Sequence, residues 1–221
     1  EIVAFYRLLE RRRVKLSARF GGRLPTVADL PTDKKRWLTK GVYFFFDPGE
    51  IRADGSGLRV VRIGSHSGDR STIESRLVGE HAADWGRSIF RRHLGSAFIR
   101  SGAFDHAISP GKRERWAAQW SERRAGFAVH CTRKALVPGL HALHGPVTAL
   151  ISTLPCIWVE LENRDARLEL EKGCIRLLSN YRRRDDPIDP PSSSWLGHHA
   201  IPEPIRLSGL WNVQQVKKAH T

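Results

Sequence analysis

The chain has 221 residues, enough for one domain to bury its own core without disulfides or structural metals. Its 37 lysines and arginines outnumber its 23 aspartates and glutamates by 14, a field that attracts polyanions or acidic surfaces and does not by itself choose between them. No apolar run approaches the roughly 20 residues of a membrane span; three widely spaced cysteines, Cys131, Cys156 and Cys174, argue against a disulfide framework and for reduced thiols in a soluble cytoplasmic protein.

No methionine occurs, not even at position 1, so we expect an initiator to precede Glu1. From Phe5 to Phe20 apolar residues recur at helical spacing among Arg7, Arg11, Arg12, Arg13, Lys15 and Arg19, the pattern of a basic amphipathic helix. Its charged face reads equally well as a solvated surface or as an arm for phosphates. Gly21, Gly22, Pro25 and Pro31 then form a connector. Two apolar runs follow, Gly41, Val42, Tyr43, Phe44, Phe45, Phe46 and Leu58, Arg59, Val60, Val61, Arg62, Ile63, Gly64, joined by the turn-formers Asp47, Pro48, Gly49, Asp54, Gly55, Ser56 and Gly57. Such runs predict an antiparallel hairpin. A glycine- and serine-rich turn leads into a helix over 72–82, with Ile73, Leu77 and Val78 on its apolar face, Ser71 or Thr72 as its cap, and Arg76 within it.

The stretch 84–146 is the least patterned and reads as an insertion, with helical character around 89–98 and 113–124. A short helix over 147–154 ends at Pro155, a strand spans 156–161, and a last helix begins near Asn163. In that helix Leu170, Cys174, Leu177 and Leu178 form a core-facing stripe. Beyond Asn180 the prolines at 187, 190 and 191 and the serines at 192–194 suggest a loop that hugs the surface, and 205–216 is expected to add a late strand or a short helix.

The order strand, strand, helix, variable insert, helix, strand, helix resembles that of the GIY-YIG nucleases over roughly positions 41–180. Gly41, Val42, Tyr43 match the first signature, and Arg62, Ile63, Gly64 occupy the place of the second. Arg76 sits where the family's helical arginine is expected, Glu171 where its metal-binding glutamate is, and Asn180 resembles the asparagine that closes that helix in some members. The resemblance implies an α/β fold with a small central antiparallel sheet flanked by helices. It divides the chain into a basic helix and connector (1–40), a core (41–180) with an insertion around 84–146, and a C-terminal extension (181–221).

The implied activity is metal-dependent hydrolysis of DNA phosphodiester bonds, with Mg2+ or Mn2+ held by Glu171; the resemblance does not choose among restriction, mobile-element and repair enzymes. Phosphodiester hydrolysis needs a water nucleophile, charge neutralisation on the phosphoryl group and stabilisation of the departing oxygen. Magnesium keeps several waters and often uses one or two carboxylates, so a lone Glu171 suffices. The family assigns Tyr43 to the attacking water, yet an unassisted tyrosine ionises only near ~10, so adjacent positive charge or metal is required. Arg76 offers a planar fork for a phosphate oxygen. Arg62 stands where the family has a tyrosine and cannot act as a base, so it binds phosphate or tunes Tyr43. The family's histidine one turn after the arginine is displaced, with Glu80 at that spacing and His81, a candidate proton shuttle, just beyond.

Helical geometry favours Glu171 over Glu169, which groups with the polar side. Arg62, Arg76, Arg91, Arg92, Arg182 and Arg183 are the candidate DNA contacts. Arg62 in place of tyrosine also supports a rival reading, a nucleic-acid-binding module that has lost catalysis, and charge alone would suit a basic adaptor. Cutting both strands with one small site is a reason to expect a homodimer. Trp116 and Trp120 among Lys112, Arg113, Arg115, Arg123 and Arg124 read either as base-stacking residues or as a buried stripe. A zinc site from Cys131, His141, His144 and Cys156 has irregular spacing and little support.

Overall fold

Three antiparallel strands in the order β2-β1-β3 form the centre of the molecule: β1 (Gly41–Ile51), β2 (Leu58–Ser65) and β3 (Cys156–Glu160). The computed structural model describes residues 1–30, 39–66, 72–83, 88–106, 109–121 and 140–220. The expected hairpin is present, with Tyr43 opposite Gly64 and Phe45 opposite Arg62. All six residues from Gly41 to Phe46 are buried, because β1 is the central strand and both of its faces are covered. That is why the run is continuously apolar instead of alternating. The hairpin turns where Arg52 N–H donates to the Gly57 carbonyl and Gly55 N–H to the Arg52 carbonyl.

Side chains alternate between the faces of a strand. On one face Phe44 meets Phe5 of helix α1 (Ile2–Ser17), at 5.7 Å between ring centres. α1 lies over β3, and α5 (Arg164–Leu178) packs against β2. On the opposite face Tyr43 and Phe45 lie under a helical segment at Ser75–Ala83 and under α2 (Ile89–Arg100), with Phe45 5.6 Å from Phe90. α3 (Arg113–Ser121) packs on α2, and α4 (His144–Ser152) lies beside the 75–83 segment.

Most element limits follow from visible chemistry. Thr72 Oγ1 accepts the Ser75 N–H, Ser88 Oγ accepts the Arg91 N–H, and Asn163 Oδ1 accepts the Ala166 N–H, so each of three helices starts at a side-chain cap. Trp116 and Trp120 are buried in α3, and a Cβ on Gly95 would lie 2.1 Å from the Trp120 indole nitrogen. The two tryptophans are therefore a packing stripe, not a stacking surface for bases. The 205–216 region forms no late strand: α6 (Glu203–Ser208) is followed by irregular chain along the outer edge of β2. Ser71, Arg123, Arg124, Cys131 and the His141 side chain, named above, lie outside the described residues.

Candidate active site

The signature strands build the site by close approach. Tyr43 is 1 % exposed, and its ring lies directly over Gly64. A Cβ at position 64 would stand 2.3 Å from the Tyr43 hydroxyl oxygen, so only glycine leaves room for the ring. Gly41 has a different reason: a Cβ there would stand 2.0 Å from the Val159 carbonyl of β3. The Tyr43 hydroxyl is 2.6 Å from His81 Nε2, and His81 Nδ1 is 2.7 Å from Ser88 Oγ. His81 is fully buried; burial first, then the charges of Arg62 and Arg76, hold its pKa well below the ordinary histidine value. The imidazole is therefore neutral. With its proton on Nδ1 donated to Ser88, Nε2 is left to accept the Tyr43 O–H.

His81 reaches this position through an irregularity in the helix. In an α-helix a residue five places after Arg76 would point about 140° away from it. Ser75–Ala83 instead winds as a π-helix, whose hydrogen bonds close at i+5 instead of i+4. The wider turn absorbs the one-residue displacement seen in the sequence and returns His81 to the face below Arg76. Arg76 is ion-paired with Glu80, and Tyr43 acts on its guanidinium. Burial opposes the arginine's charge, but Tyr43 and Glu80 outweigh it and its pKa is raised. Arg76 Nε is buried without a hydrogen-bond partner among the described residues.

Glu171 lies on α5 with its Oε2 accepting the Ser65 hydroxyl. Ser65 follows Gly64 on β2, so the carboxylate and the Tyr43 ring flank the same peptide from the two sides of the strand. Glu169 is exposed and paired with Lys172 at 2.6 Å, which lowers its pKa. Of the two, Glu171 is the one bonded to β2. The described residues hold no group of three or more His, Cys, Asp or Glu side chains able to grip a metal. One half-exposed carboxylate beside a serine hydroxyl is instead an oxygen donor set suited to a hard cation that keeps most of its waters.

The model of the GIY-YIG domain matches residues 1–221, the whole chain. This protein belongs to the GIY-YIG family. Searches of curated proteins and of solved structures give no significant match. The family is one of nucleases, generally endonucleases that use divalent metals and act on DNA. Its match also takes in the N-terminal helix and the C-terminal extension, beyond the 41–180 that carry the signatures.

The structure brings Tyr43, Arg76 and His81 together, with Glu171 held by Ser65 on the other side of β2. It leaves the other sequence-derived candidates elsewhere in this GIY-YIG chain. Arg62 donates through Nη1 to the Trp211 carbonyl at 2.7 Å and lies 4.8 Å from the Phe90 ring centre, so it reaches His81 only as a nearby charge. Asn180 donates to the Asp189 carbonyl and accepts the Ile188 N–H, holding the loop after α5. Arg91 is buried and donates to carbonyls of His81, Ala82 and His144 and to Thr148. Arg92 is buried and donates to the Ser121 carbonyl. Neither guanidinium faces outward, which corrects their reading as DNA contacts. Arg182 and Arg183 donate to the Lys217 and Leu177 carbonyls at the end of α5. Two residues had no role in the sequence reading: Ser88, the partner of His81, and Ser65, the partner of Glu171. Ser65 was findable as the hydroxyl directly after the second-signature glycine. Ser88 stands in a segment, 88–91, that resembles part of a bacterial subgroup of GIY-YIG proteins, which gave it no role.

Proposed function

We propose that this protein is a divalent-metal-dependent endonuclease that hydrolyses DNA phosphodiester bonds. The observation that carries the reading is the Tyr43 hydroxyl, bonded to the neutral imidazole of His81, facing Arg76, and one peptide away from the serine that holds Glu171. Tyr43 orients the attacking water and accepts its proton as its own moves to His81 Nε2. Arg76 supplies positive charge to that hydroxyl and a fork for the scissile phosphate, with its buried Nε–H still free to donate. Arg62, fixed by the Trp211 carbonyl, disfavours a charged His81 at rest and so keeps the imidazole ready as an acceptor. Glu171 and Ser65 would hold the cation, which when bound neutralises charge on the phosphoryl group and the departing oxygen. In-line attack leaves a 3′-hydroxyl and a 5′-phosphate, as the family resemblance implies.

The test is incubation of supercoiled plasmid with the purified protein in magnesium or manganese, with chelator, and beside Glu171→Ala. Nicking or linearisation that needs the metal and vanishes in the variant is the expected result. Cleavage that persists in chelator or in Glu171→Ala contradicts the assignment. A second reading, a nucleic-acid-binding module without catalysis, draws on the burial of Tyr43 and on Arg62 in place of a tyrosine. It predicts binding whose log affinity falls linearly with log salt, and no cleavage with any metal.

A further inference from the structure

β2 is an edge strand of the sheet, and an uncovered edge exposes unpaired backbone groups. Here the chain after α6 covers it residue by residue. Arg59 Nη1 donates to the Gly209 carbonyl at 2.6 Å. The Trp211 N–H donates to the Val61 carbonyl at 2.7 Å, and Arg62 returns a bond to the Trp211 carbonyl. Asn212 then pairs both ends of its amide with one residue of β2: Oδ1 accepts the Ile63 N–H at 3.1 Å and Nδ2 donates to the Ile63 carbonyl at 2.8 Å. A side chain thus does what a fourth strand's backbone would do, at the position just before Gly64 and Ser65.

We propose that Gly209–Asn212 is a positioning element of the cleavage site, fixing the outer edge of β2 so that Gly64 seats Tyr43 and Ser65 holds Glu171 in register. The proposal rests on the nuclease reading above. Two routes connect the segment to the reacting groups. Along β2, Ile63 is the direct neighbour of Gly64, whose bare Cα is the floor under the Tyr43 ring. Through the core, Trp211 packs on Phe90 at 6.1 Å, and Phe90 meets His81 at 5.5 Å and Phe45 at 5.6 Å. Arg62 joins the routes, since it is anchored on Trp211 and lies over Phe90. The arginine that replaces the second-signature tyrosine is therefore a tether between the C-terminal extension and the site. Asn212 touches no reacting atom and acts through β2, which makes it a positioning residue.

The experiment compares the full-length wild type with Asn212→Ala, Asn212→Asp and Arg206→Ala in plasmid cleavage, thermal unfolding and amide hydrogen exchange at Ile63. Arg206 ties the Ala200 and Ile201 carbonyls within the extension and makes no bond to β2, so it controls for loosening of the extension as such. For Asn212→Ala the expected result is faster exchange at Ile63, a fall in kcat of about ten- to a hundredfold, and an unchanged KM. Arg206→Ala should keep the wild-type kcat. If Asn212→Ala does not fold, Asn212→Asp carries the test: it keeps the acceptor for Ile63 and loses the donor, and its kcat should fall. Wild-type kcat in an Asn212 variant whose Ile63 amide is released overturns the proposal and leaves the nuclease reading intact. An equal loss in Arg206→Ala also overturns it. A wild type that cuts no DNA with any metal removes the nuclease reading, and the proposal falls with it.

Discussion

The two ends of the β1–β2 hairpin bury different polar groups, an ion pair at one and a neutral imidazole at the other. At the turn end, Glu50 and Arg59 are each about 2 % exposed and form an ion pair at 2.7 Å. Glu50 also accepts the Ser192 N–H and hydroxyl, and all three donor nitrogens of Arg59 are engaged. Beside them Asp189 accepts the Tyr6 hydroxyl and the Ala53 N–H, and its charge, with burial as the larger cause, raises the Tyr6 pKa far above the usual phenol value. At the signature end, Arg62 Nε, Arg76 Nε and His93 Nδ1 are buried without hydrogen-bond partners among the described residues. The turn end also keeps two such atoms, Arg52 Nε and Trp195 Nε1, so what sets the signature end apart is that its unspent donors lie beside a neutral imidazole and leave interactions for something that arrives. The comparison separates residues whose loss should slow a reaction from residues whose loss should unfold the chain.

The sharpest break in that comparison is Tyr43→Phe. Cleavage should fall about 10²- to 10⁴-fold, because proton transfer is lost, while stability falls by only about 1–3 kcal/mol, from His81 Nε2 left buried without its partner. Single-turnover cleavage beside a urea titration measures both. At the other end, Glu50→Ala should cost about 3–5 kcal/mol in the same titration, since it strands the Arg59 charge in the core. Gly64→Ala should combine the two behaviours: its Cβ forces the Tyr43 ring to shift, costing about 1–3 kcal/mol and at least tenfold in cleavage. Normal cleavage by Gly64→Ala would show that Tyr43 does not act from where it sits.

The smallest effect concerns pH. Burial, then Arg62, depresses His81, and the same causes lower His93 to about 4. In the unfolded chain both return to about 6.5. Between pH 6.5 and 4 the unfolded state therefore binds protons that the folded state refuses, and stability falls as pH falls, on the order of 1 kcal/mol per unit for each histidine. Melting temperature against pH should decline below about 6.5, and exchanging His93 for glutamine should flatten the decline.

Much of the fold was legible because its signals are local. β-branched and aromatic runs gave the hairpin, and Thr72, read as a cap, and Asn163, read as a helix start, both cap their helices. Tyr43 and Arg76 could be named from the order of the elements, and the structure puts them in contact. His81 was named as a candidate proton shuttle one residue past the expected spacing, but how it reaches Arg76 was not legible, since widening a helix by one residue leaves no periodic trace. Asn212 stands in a segment, 208–213, that resembles part of a bacterial subgroup of GIY-YIG proteins, but its contact was not legible: a side-chain amide that pairs with a strand edge has no spacing rule, and its partner is 149 positions away. Arg91 and Arg92 were misread because a basic pair suggests an outward charge, while both close internal carbonyls instead.

The central claim is that a nuclease site is assembled around the Gly64–Ser65 peptide, with its carboxylate from α5. Its most direct test is the metal-dependent cleavage rate of Glu171→Gln against Glu169→Gln, two neutralised carboxylates on one helix with opposite surroundings. Loss of cleavage in Glu171→Gln with DNA affinity retained, and a wild-type rate in Glu169→Gln, is the predicted result. A wild-type rate in Glu171→Gln would contradict the site described here.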